Sequence, residues 1–107
     1  MAINAITKIA ADWYTPESER EEENPTRFKI QPLNGLQHME VLNDLYKSGP
    51  FNALRYGLVG WENFSDENGK EIKFSAKNIE RIPPLLLSEL STEIVNRSEL
   101  GEDATKN

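Results

Sequence analysis

His38 is the only histidine in the chain and there is no cysteine, so the side chains that most often serve as general base, thiolate nucleophile or zinc ligand reduce to one imidazole. That imidazole is flanked by Met39 and Leu42, the setting of a surface or boundary histidine. The best calcium candidate is Asp66-Glu67-Asn68-Gly69, in which glycine after asparagine resembles the middle of an EF-hand loop. In that register the first and last ligand positions fall on Phe64 and Ser75, and neither supplies a carboxylate. Gly57 and Gly60 lead into Trp61 rather than into Gly-Lys-Ser/Thr, so no loop is built to cradle phosphate. The carboxylates fall in loops and on polar helix faces, where water keeps them ordinary rather than pairing them as acid and base. The expectation is a protein that is not an enzyme, with no catalytic residue, no cofactor and no metal.

What remains is binding. Tyr56, Trp61 and Phe64, with Phe51 nearby, form either an aromatic contact patch or part of the core. Leu86, Leu90 and Ile94, joined by Leu87 and Val95, make an apolar stripe at three- and four-residue spacing. That stripe is either a core face or a core face that also meets a partner. The partner-binding candidates are therefore Tyr56, Trp61, Phe64, Leu86, Leu90 and Ile94. Leu90 is expected to be core, and the contact surface is expected near Tyr56, Trp61 and the tip of the loop beyond them.

The elements that must position these residues follow from spacing. Ile3–Trp13 partly alternates and permits a strand. The run Glu17-Ser18-Glu19-Arg20-Glu21-Glu22-Glu23, closed by Asn24-Pro25, reads as a solvated, mobile loop joining two strands, with an acidic docking site for a basic partner as the alternative. Thr26–Leu33 alternates cleanly, Phe28 and Ile30 against Arg27, Lys29 and Gln31, which is the pattern of a half-buried strand ended by Pro32. Asn34 and Gln37 form a capping pair for a helix over Leu36–Tyr46, whose apolar residues mix helical spacing with one off-phase position.

Ser48-Gly49-Pro50 breaks the chain before a short helix from Phe51 that stops at Gly57 or Gly60. Asn68-Gly69 predicts a hairpin with strands near Trp61–Phe64 and Glu71–Phe74. Ser75 caps a short helix to about Ile82, and Pro83-Pro84 starts a longer one that ends near Leu100-Gly101. The fold class is α+β: an N-terminal strand pair or hairpin, then a small helical domain with a short β-hairpin and a C-terminal amphipathic helix. Residues 1–25 form the strand and acidic loop, 26–100 the compact part and 101–107 a flexible tail, within one domain overall.

Composition narrows the class. A chain of 107 residues with 37% hydrophobic and 28% charged side chains supports one modest core and no second domain. Absence of cysteine removes any disulfide framework and suits a reducing compartment. The start lacks the basic-then-apolar order of a signal peptide, and the longest apolar run, Leu85-Leu86-Leu87, is far too short to span a bilayer. Without export, the sequons at Asn63 and Asn96 mean nothing. A net charge of −6 opposes nucleic-acid binding, which rests on Lys and Arg displacing counterions. Protein partners are expected, with no membrane and no nucleic acid, and self-association stays open.

Three stretches carry a resemblance. They are Phe28-Lys29-Ile30-Gln31-Pro32-Leu33; Arg55-Tyr56-Gly57-Leu58-Val59-Gly60-Trp61-Glu62-Asn63-Phe64 with Asp66, Gly69 and Phe74-Ser75; and the helix from Ile82-Pro83-Pro84 with the closing Lys106-Asn107. Over about residues 26–107 the pattern resembles small tail assembly chaperones of long-tailed bacteriophages. The resemblance implies a factor that keeps the tape measure protein and the tail tube protein soluble until the tube polymerises, in the cytoplasm of the bacterial host. Two other functions remain open on the sequence: a structural phage protein such as a head–tail connector or tail subunit, and an acidic inhibitor of a host nucleic-acid-binding protein.

Overall fold

The computed structural model describes Ile3 and residues 9–104, residues 100–104 by backbone alone. Its centre is strand β2 (Arg27–Ile30), where the alternation buries Phe28 and Ile30 completely and leaves Arg27 and Lys29 half-exposed. Strands β1 (Asp12–Tyr14) and β3 (Leu58–Glu62) flank it, both antiparallel, in the order β1-β2-β3. Tyr14 stands opposite Phe28 and Trp61 opposite Phe28 on the other side, so these aromatics share the inward face. The expected N-terminal strand is thus realised at its C-terminal end; residues 1–2 and 4–8 lie outside the described residues.

The acidic run does connect two paired strands, but it is pinned at its start. Pro16 is buried and Glu17–Glu19 form a 3-10 turn. The Glu17 N–H donates to the Glu89 carboxylate at 3.1 Å, and the Glu19 carboxylate accepts from the Thr26 N–H at 3.0 Å. Glu17, Ser18 and Arg20–Asn24 are exposed.

Helix α1 (Gly35–Asn43) begins with the expected reciprocal cap, Asn34 Oδ1 accepting from the Gln37 N–H and Gln37 Oε1 from the Asn34 N–H. It ends before Tyr46, because Asp44 turns the chain: its carbonyl accepts from both the Lys47 and Gly49 N–H groups. A Cβ on Gly49 would lie 2.5 Å from the Val41 carbonyl oxygen, so the turn requires glycine there. Helix α2 (Gly49–Gly57), with Pro50 in its first turn, runs straight into β3.

The expected hairpin is reduced. Beyond Glu62 only a single bridge joins Ser65 to Glu71, with Gly69 at φ +81° in the turn. Asn63 at φ +57° turns the chain out of the sheet, and Trp61 spends its backbone on β2 while its indole N–H donates to the Ile72 carbonyl at 2.7 Å. Lys77–Arg81 is a 3-10 turn rather than an α-helix, entered through Ser75, whose hydroxyl accepts from the Asn78 N–H. Helix α3 (Pro84–Ala104) passes through Gly101, where the tail was expected to begin; glycine costs a helix only about 1 kcal/mol and does not by itself stop one. Residues 105–107 lie outside the described residues.

Among the described residues the architecture is α+β, a three-stranded antiparallel sheet with three α-helices. α2 packs on α3 and α1 on α2. One core joins Phe28, Ile30, Leu33, Val41, Ala53, Leu54, Leu58, Ile79, Ile82, Leu90 and Ile94.

Candidate functional site

The six candidate residues are buried to different degrees. Leu90 and Ile94 have no exposed surface, and Leu86 is half-buried against the core. Leu90 is core, as expected, and a partner cannot reach it or Ile94 in this fold. Trp61 and Phe64 are brought together, ring centroids 5.0 Å apart and edge-on, with Phe28 and Phe74 completing the cluster. Both are half-buried and pack on the core. Tyr56 is held elsewhere by its hydroxyl, which donates to Glu40 at 2.7 Å. That hydrogen bond to a carboxylate pushes its phenol above the ordinary tyrosine range.

The exposed apolar surface lies on a different segment. On α1 only Val41 is buried, with Gln37 and His38 half-buried beside it. Leu36 and Met39 point away from the core, 81% and 60% exposed, and Leu42 and Leu45 are exposed after them. Tyr46, in the turn, is 97% exposed, and Phe51, in the first turn of α2, is 51% exposed. Single exposed hydrophobic residues are ordinary, whereas here six fall within one helix, its turn and the start of the next. At about 100° per residue Leu36 and Val41 point about 140° apart, so they cannot both face one core. The off-phase spacing in Leu36–Tyr46 was the available signal, and it points to a helix with two apolar faces.

Behind this surface a groove of about 320 Å³ opens between α1 and α3. Val41, Leu42, Leu45 and Pro50 form one wall. Across from them α3 presents Ser88, Ser91, Thr92 and Val95, with Glu99 near one end. His38 lies on the same seam, its Nε2 3.7 Å from the Glu99 carboxylate and without a hydrogen-bond partner.

Polar contacts elsewhere hold the fold. Tyr14 donates to Glu89 at 2.5 Å, and burial, followed by that hydrogen bond, pushes the Tyr14 phenol up to about 12. Arg27 pairs with Glu62 across β2 and β3 while lying over the Trp13 ring. Asp66 Oδ1 accepts from the Asn68 and Lys70 N–H groups, so the carboxylate of the calcium candidate closes its own turn. Among the described residues no group of three or more His, Asp or Glu side chains is arranged to hold a metal ion, and no helix is long and apolar enough to cross a membrane.

Comparison of the chain with protein-family models, with curated proteins and with solved structures finds no match.

Proposed function

We propose that the chain is a binding protein without catalytic activity that covers apolar segments of other proteins, and specifically a tail assembly chaperone of a long-tailed phage. The observation that supports this most directly is the exposed run Leu36, Met39, Leu42, Leu45, Tyr46 and Phe51. A carrier for aggregation-prone clients needs exposed apolar area, worth roughly 25 cal/mol for each Å² it buries on binding. It must also stay dispersed while that surface is uncovered, and a net charge of −6 supplies mutual repulsion between copies.

The client class comes from the resemblance: the tape measure protein and the tail tube protein, met in the cytoplasm of the bacterial host before the tube polymerises. A chaperone of this kind leaves when assembly is complete, whereas a tail subunit stays in the particle.

Co-expression with the tape measure protein of the same genome tests the proposal. The expected outcome is a rise in soluble client and its co-purification with the chain, together with absence of the chain from purified virions. Unchanged client solubility would remove the chaperone function, and stoichiometric peptides in virions would replace it with a structural one.

A further inference from the structure

The groove between α1 and α3 has a shape and a polarity that the exposed apolar run does not explain. On α3, Leu85, Ser88, Thr92, Val95 and Glu99 recur at three and four residues, which places them along one stripe of the helix. Ser88, Thr92, Val95 and Glu99 line the groove. Leu85, at the start of the stripe, is 87% exposed.

The walls determine the form of the occupant. One is a face of α3 and the other the end of α1, the turn that carries Leu45 and the start of α2, so neither offers a free strand edge. An extended peptide laid between them would bury unpaired N–H and C=O groups, whereas a helix satisfies its own. The serine and threonine side chains on the α3 side are short enough for another helix to approach. From Ser88 to Glu99 the stripe runs about 16 Å, the length of about three helical turns.

Charge determines its polarity. Among the described residues no lysine or arginine lines the groove, and Glu99 is the one charged residue that does. Resting on the proposed binding of apolar clients, we infer that the groove takes an amphipathic client helix that seats apolar side chains against Leu42, Leu45 and Val95 and carries a lysine or arginine at the end that meets Glu99. A second copy of this chain is a poorer occupant, because its own exposed apolar run is flanked by Glu40 and Asp44 and would set carboxylates against Glu99.

The test uses two fluorescein-labelled synthetic helical peptides of leucine, alanine and glutamine, differing only in a lysine or a glutamate at one end. Binding is read by fluorescence anisotropy at low salt. The lysine peptide is expected to bind about fivefold more tightly than the glutamate peptide, and Glu99→Lys is expected to reverse the order. Thr92→Trp, at an exposed position, is expected to fill the groove and weaken both peptides at least about tenfold with an unchanged melting temperature.

Peptide order unaffected by Glu99→Lys, or Thr92→Trp binding like the parent, would overturn the inference, even where the full client is still kept soluble and the chaperone function stands. Reversal by Glu99→Lys without any rescue of the tape measure protein would uphold the groove and remove the function. Dimerisation of the wild type, abolished by Thr92→Trp in sedimentation, would assign the groove to a second copy and overturn the client helix.

Discussion

A Cβ on Gly57 would stand 2.5 Å from Cγ2 and 2.9 Å from Cδ1 of Ile94, so the last residue of α2 and the fully buried isoleucine of α3 are in contact only because the first has no side chain. The carbonyl of Gly57 also accepts from the Gln31 N–H at 2.8 Å, which fixes the end of α2 to the chain leaving β2. One residue thereby sets the spacing of strand, helix and helix.

Gly57→Ala is therefore expected to destabilise the domain by about 1–3 kcal/mol through overpacking. Ile94→Ala should cost about 2–5 kcal/mol by leaving a cavity. In the double variant the two should be less than additive, because the new methyl group enters the space that Ile94 vacates. Urea denaturation of the three variants measures this; strict additivity would show that the two residues do not share that space.

Ser98 bridges two elements, its hydroxyl accepting from the Leu33 N–H and donating to the Ile94 carbonyl, both at 2.7 Å. Ser98→Ala strands the Leu33 N–H beside the core and is expected to cost about 1–3 kcal/mol, while Ser98→Thr keeps the hydroxyl and should cost less. Equal melting temperatures for the two variants would deny the bridge its role.

Much of this fold was legible because its signals are local. The Phe28 and Ile30 alternation, the Asn34 and Gln37 cap, Pro50 in a first turn and Pro84 at a helix start each act within a few residues, and each appears as expected. The hairpin is reduced to the Ser65–Glu71 bridge because Asn68-Gly69 specifies a turn but not how far its arms pair; β3 found β2, a partner distant in sequence. The burial of Tyr56, Trp61 and Phe64 was harder to read for a related reason. Aromatic residues at Tyr56, Trp61 and Phe64 are equally good core and surface, and only the tertiary packing around Phe28 assigned Trp61 and Phe64 to the core edge. The exposed side of α1 was recorded in the off-phase spacing of Leu36 and Val41, but spacing alone does not say which of two apolar faces is buried.

Tyr14 joins β1 to α3 through Glu89, and its phenol titrates near 12 rather than 10 because burial and the carboxylate disfavour the phenolate. The folded protein thus holds a proton that the unfolded chain releases between those values, so the contribution is complete below pH 10 and is lost as pH rises toward 12. Tyr14→Phe removes that part of the alkaline decline. Urea midpoints from about pH 9 to about pH 12 are expected to fall more steeply for the parent than for the variant; parallel profiles would mean that the Glu89 contact does not survive in solution.

The proposed function is that the exposed apolar run on α1 and α2 binds clients while the Leu86, Leu90 and Ile94 stripe of α3 holds the fold. Its most direct test is the triple variant Leu36→Ser, Met39→Ser, Phe51→Ser, measured beside Leu90→Ala for thermal stability and for rescue of soluble tape measure protein. The three serines replace side chains that are more exposed than buried, and each is expected to change stability by no more than about 0.5 kcal/mol while together they abolish rescue. Leu90→Ala is expected to cost about 2–5 kcal/mol and, at temperatures where it remains folded, to rescue the client normally. A triple variant that rescues like the parent would contradict the assignment of the surface.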